Sequence, residues 1–131
     1  MDPIAKIFLR THEEYVFGPG RRELLAAVEE LGSLRKAAQK LGMSYRWAWG
    51  RLKKAEEELG VPLLSRTDEP VGGKPKVLTP QARELLAWYG AMEDSVRAAL
   101  SEADKKRPSF LGALPVKNPP TAGKKNRIPL D

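Results

Sequence analysis

Cysteine is absent from this chain of 131 residues, and histidine occurs once, at His12. Without thiols there are no disulfides and no thiolate chemistry, and the redox compartment stays open. A lone histidine in a polar stretch supplies neither a metal-ligand cluster at workable spacing nor one half of a catalytic pair. The glycine-lysine run Gly72-Gly73-Lys74-Pro75 lacks the upstream glycine and the downstream Ser or Thr of a phosphate-binding loop. No catalytic residue, cofactor-binding residue or metal ligand is therefore expected, and the chain does not read as an enzyme. Long apolar runs are also missing, none approaching the roughly 20 residues of a membrane span. Met1-Asp-Pro3 opens without the basic region and apolar core of a secretory signal. A cytoplasmic protein with no membrane partner is the expectation.

One further absence is local. Between Ser33 and Ala55 there are seven basic residues and no acidic one. The segment reads as helix, tight turn, helix. Leu34, Ala37, Ala38 and Leu41 fall on one face of a short first helix. Gly42 supplies the stop and Ser44 an N-cap. A second helix then carries Ala48, Leu52, Ala55 and Leu59 at helical spacing, up to Gly60. This is the pattern of a helix-turn-helix, whose second helix enters the DNA major groove. Over residues 1–104 as a whole charge balances, 16 basic against 16 acidic side chains, so this segment is a local basic patch. Residues 105–131 hold seven basic side chains against Asp131 alone, so the whole net charge of +6 lies there. Basic segments attract the phosphate backbone by releasing condensed counterions.

The flanking segments complete a pattern. Lys6–Arg10 and Tyr15–Phe17 are rich in β-formers and joined by the polar Thr11–Glu14, which predicts a hairpin. After Gly18-Pro-Gly20, the residues Leu24, Leu25, Val28 and Leu31 mark one face of a helix over Arg21–Leu31, stopped at Gly32. Val61–Arg66 and Lys76–Thr79 read as two short strands around a glycine-rich tip that bears Lys74, the layout of a wing. Thr79 and Pro80 begin a helix that runs to about Asp104. Its residues Leu85, Tyr89, Met92, Val96, Ala99 and Ala103 are spaced 4-3-4-3-4, the repeat of a seam between paired helices, so a homodimer is expected. Residues 105–131, with five prolines and few large apolar groups, read as a flexible basic tail.

On the second helix, Tyr45, Arg46, Trp49, Gly50 and Lys53 fall on or beside the face opposite the apolar stripe. Arg46 lies in the first turn, where its planar fork suits guanine O6 and N7. Tyr45 and Trp49 suit sugars or thymine methyls, and Ser44 suits a phosphate. Trp47 lies at the edge of the apolar stripe and is expected to pack against the domain.

The run Gly32-Ser-Leu-Arg-Lys-Ala-Ala-Gln-Lys-Leu-Gly-Met-Ser-Tyr-Arg-Trp-Ala-Trp49 resembles the DNA-binding domain of ModE-type molybdate-responsive regulators, relatives of the LysR-type winged helix-turn-helix. Gly72-Gly73-Lys74 and Val77-Leu78-Thr79 before a long helix agree with it, and Glu57–Arg66 leans toward the wider LysR-type pattern. The resemblance covers about residues 4–104. It implies a mainly α fold with a small β content: a winged helix-turn-helix with an N-terminal hairpin and a long C-terminal dimerisation helix. It implies a homodimeric, sequence-specific regulator bound to double-stranded DNA. Ser44, Tyr45, Arg46, Trp49 and Lys53 match recognition-helix positions, and Lys74 and Lys76 match the wing. Leu85, Tyr89, Met92 and Val96 are the expected dimer contacts. Residues 105–131 match nothing in the small β-barrel oxyanion-binding domains of the family, so the expectation is a DNA-binding unit without them, its effector unidentified. The competing class is a winged-helix interaction module that does not read DNA. Its surface has no need for seven positive charges in that segment.

Overall fold

The computed structural model describes residues 1–65 and 76–112. Strands β1 (Leu9–Thr11) and β2 (Glu14–Phe17) pair antiparallel, Thr11 opposite Glu14 and Arg10 opposite Tyr15. The connection is tighter than the expected Thr11–Glu14. His12 and Glu13 alone make the turn, with φ of 49° and 68°. Positive φ at both central residues matches the right-handed twist of the strands. The ladder crosses a register shift between Leu9 and Arg10 and ends at the Leu9–Phe17 pair, so Lys6–Phe8, expected in the first strand, lie outside it. Ile7 is used differently: its carbonyl accepts the Tyr89 hydroxyl at 2.5 Å.

Gly18 leads into helix α1 (Pro19–Leu31), two residues earlier than the apolar pattern indicates, because Pro19 sits comfortably in the first turn. A Cβ on Gly18 would come within 2.7 Å of the Phe8 ring, so only glycine lets the chain pass there. Helix α2 (Leu34–Lys40) starts at Ser33, whose hydroxyl accepts from the Lys36 N–H at 3.1 Å. Helix α3 (Tyr45–Leu59) starts at Ser44, whose hydroxyl accepts from Trp47 at 3.0 Å, and it stops at Gly60. Helix α4 (Pro80–Asp104) is capped by Thr79. Its 25 residues span about 37 Å at 1.5 Å per residue.

The core lies where α1, α2 and α3 converge on β2 and on the first turns of α4. Phe17, Leu24, Leu25, Leu34, Leu52, Leu63 and Tyr89 are its largest fully buried side chains, with Ala48 and Ala55 bringing α3 close. Arg21 is buried beside them, donating to the Val16 carbonyl with the Tyr15 ring beneath its guanidinium at 4.7 Å.

The expected strands after α3 meet at one bridge, Leu64 with Leu78. Backbone bonds from Ser65 to Val77 (2.7 Å) and from Thr79 to Leu63 (3.0 Å) close this base of the wing. The tip, including Lys74, lies outside the described residues.

Leu85 is half-buried against the core, and Tyr89 is fully buried, its ring edge-on to Phe17 at 5.2 Å. Both residues expected to open a dimer seam thus pack within their own domain, which needs the same helical spacing. Met92 and Val96, further along α4, are half-buried. α4 ends at the expected Asp104, and contacts continue a few residues past it. Arg107 pairs with Asp104 at 2.7 Å, donates to the Met1 carbonyl at 2.6 Å and bonds Gly112, beside a single 3-10 turn at Ser109–Leu111. Residues 1–7 are therefore tethered at one end to Arg107, just past α4, and at the other to Tyr89 within it.

Candidate nucleic-acid interface

Two short connections set the angle between α2 and α3. Met43 donates to the Ala38 carbonyl at 3.0 Å and Gly42 to Gln39 at 3.2 Å, with Gly42 at φ 70°. Only glycine holds that conformation without steric cost, so α3 leaves the turn in one direction. Ala48, Leu52 and Ala55 anchor its inner face at zero exposure.

With that stripe inward, a helix of 3.6 residues per turn puts Arg46, Gly50, Lys53 and Glu57 on the outward line. Arg46 is exposed, and among the described residues it has no hydrogen-bond or ion-pair partner. Gly50 is open: a Cβ there would meet nothing within 4 Å. Lys53 is half-buried, 3.8 Å from Glu56 and 6.0 Å from the Trp49 ring. Lys54 is exposed on the flank. Ser44 is exposed but its oxygen is already engaged as the cap.

Two placements differ from expectation. Tyr45 does not stand free on the outward face; it is half-buried against the core with the Arg35 guanidinium 4.5 Å above its ring. Trp47 does not pack on the domain but is 58% exposed, more than Trp49 at 40%. The reason is angular. Trp47 precedes Ala48 by about 100° of helix rotation, which carries it past the buried stripe of Ala48, Leu52 and Ala55. The Arg51 guanidinium lies 5.8 Å from the Trp47 ring. Lys76 is half-buried beside the base of the wing, and its carbonyl accepts from the Leu34 N–H at 3.1 Å, tying the wing to α2.

Glu56 is a positioning residue that composition hides. Its carboxylate accepts from the backbone N–H groups of Leu63 and Leu64, which fixes the wing against α3. Exposed Arg35 and Lys36 and the Lys40–Glu30 pair at 3.2 Å add a basic margin on α2. The assembled surface is a helix edge with one unengaged guanidinium, several further cations and two exposed indoles. Such a surface can bond phosphates and read base edges. Among the described residues no group of three or more histidine or carboxylate side chains could hold a metal ion, and no helix is long and apolar enough to cross a membrane.

Residues 21–83 match the family described as bacterial regulatory helix-turn-helix protein, lysR family. The chain is 36% identical over 88 residues to the molybdenum-pterin-binding protein MopB of Rhodobacter capsulatus, covering 67% of this chain and 33% of MopB. It is 28% identical over 103 residues to the molybdenum transport protein ModE of Azotobacter vinelandii, covering 79% of this chain and 38% of ModE. It thus spans little more than a third of these curated relatives. Its fold resembles that of the BenM DNA-binding domain solved with benA site 1 DNA, with a TM-score of 0.50 and 25% identity over 66% of this chain and 92% of that one. The family match runs from Arg21 in α1 to Arg83 in the first turn of α4, so it takes in α2, the turn and α3.

Proposed function

We propose that this chain is a sequence-specific transcription regulator that binds double-stranded DNA as a homodimer. The observation that carries it is the acid-free run Ser33–Ala55, which surrounds an exposed Arg46 at the start of α3. An arginine in the first turn of a recognition helix can form two parallel bonds to guanine O6 and N7. Lys53, Lys54 and the basic margin of α2 supply phosphate contacts, and Lys74 and Lys76 do so from the wing. α4 serves dimerisation through its half past Tyr89, where Met92 and Val96 lie. This is a cytoplasmic role with no catalytic chemistry.

A link to molybdate or related oxyanions follows from the similarity to proteins named for molybdenum binding and transport. The likeness to BenM bound to its site adds support for the DNA-bound form. Unbiased selection from a randomised duplex pool, followed by affinity measurement across salt concentration, tests the proposal. The expected result is a defined, two-half-site sequence whose affinity falls steeply with salt. The absence of salt-dependent binding to any duplex would refute it.

A further inference from the structure

We infer that Trp47 is a specificity-determining residue: together with Trp49 it grips the reading face from both sides, each indole packing on the 5-methyl group of a thymine, one thymine on each strand. The inference rests on the proposed DNA-binding role and adds to it a base preference at two positions. Helix geometry sets the two side chains about 100° to either side of inward-facing Ala48. They therefore flank the outward line of Arg46, Gly50 and Lys53. Both remain exposed, 58% and 40%, although large aromatic groups are among those that gain most from burial.

A major groove about 12 Å wide receives a helix about 10–12 Å across. Side chains on the outward line then face the middle of the base pairs, and side chains on the flanks face the margins of the groove floor. In an A·T pair the thymine-side margin is the C5-methyl group, beside that strand's own sugar. Opposite flanks of the helix meet opposite strands, so the two indoles meet methyls of different strands. An indole is mostly apolar carbon with one N–H, and a methyl is the apolar group the groove floor presents. The surroundings fit DNA better than an apolar protein surface. Arg51 lies 5.8 Å from the Trp47 ring and Lys53 lies 6.0 Å from that of Trp49, with Arg46 between them.

The test uses duplex selection with the wild-type chain and with Trp47→Ala, whose exposed position leaves the core untouched. Thermal melting confirms that the variant folds. Wild-type sites are expected to carry a thymine on each strand flanking the base pair read by Arg46, and Trp47→Ala is expected to lose one of these two preferences. Replacing that thymine by uracil removes only the methyl and should weaken wild-type binding about fourfold. The same change should leave Trp47→Ala unaffected, while Trp47→Phe keeps part of the discrimination. A defined wild-type site that lacks the thymines, or equal response of wild type and Trp47→Ala to uracil, overturns the inference and leaves the DNA-binding role standing. A wild-type chain that selects no duplex overturns both.

Discussion

The carboxylate of Glu56 accepts the backbone N–H of Leu63 at 2.7 Å, and with the Leu64 N–H at 3.0 Å it joins α3 to the base of the wing. One side chain thereby holds together the two elements that the proposed function places on the same duplex. Glu56→Ala leaves both donors without that partner in a part-buried place, a loss of about 1–3 kcal/mol. Glu56→Gln keeps an acceptor and should lose less. Chemical denaturation measures the stability, and DNA affinity should fall by more than stability alone accounts for, because the wing loses its fixed angle. An alanine variant with unchanged stability would mean that these bonds do not hold the wing.

Gly50 has no internal reason to be glycine, since a Cβ there meets nothing and the helix continues through it. Gly50→Ala should raise stability by up to about 1 kcal/mol through helix propensity. If the DNA surface approaches the helix there, the same change lowers affinity. A more stable variant with weaker binding is the expected pair of results. Improved stability with unaltered affinity would show that the groove floor stays clear of position 50.

Arg46 and Lys53 should fail in different ways. Arg46→Ala is expected to cost about 1–3 kcal/mol of discrimination at one base pair. Lys53→Ala should weaken all duplexes alike and flatten the salt dependence by at most about one ion, because Glu56 at 3.8 Å already offsets part of its charge. Competition binding against single-base variants of the selected site separates the two. A uniform loss in Arg46→Ala would reduce it to a phosphate contact.

Much of this arrangement was legible in the residues, and the reasons are local. Ser33, Ser44 and Thr79 each cap a helix with the side chain that the sequence offers, and Gly32 and Gly60 end α1 and α3 with left-handed φ of 85° and 74°. What escaped depends on contacts distant along the chain. His12 and Glu13 make a two-residue turn without the glycine or asparagine that would announce it. Glu56 looks like its neighbours Glu57 and Glu58 until the wing arrives beside it. The spacing of Leu85 and Tyr89 serves packing within a domain as well as packing between chains. An exposed tryptophan such as Trp47 defeats any argument from hydrophobicity.

The dimer proposal now rests on the part of α4 beyond Tyr89. Val96→Asp should place an unpaired charge in the contact between two chains and dissociate the dimer, with little effect on the core around Tyr89. Sedimentation at micromolar concentration reads the change as a fall from two chains to one. Tyr89→Phe, which removes the hydroxyl bonded to Ile7 inside one protomer, should leave the dimer intact. A wild-type mass of one chain would refute dimerisation through this helix.

Arg107 ties residues 105–112 to Asp104 and Met1, so a cut at Asp104 would remove structural contacts along with charge. Deletion of residues 113–131 takes away Lys117, Lys124, Lys125 and Arg127 against Asp131, a net of +3, without touching those bonds. Cations near a duplex add sequence-independent attraction and speed encounter. The shortened chain should therefore melt as before and select the same site. Its affinity should be lower, with the deficit largest at low salt and the salt dependence shallower. Titrations at two ionic strengths measure this directly, and a changed site preference or a lower melting temperature would show that these residues do more than supply charge.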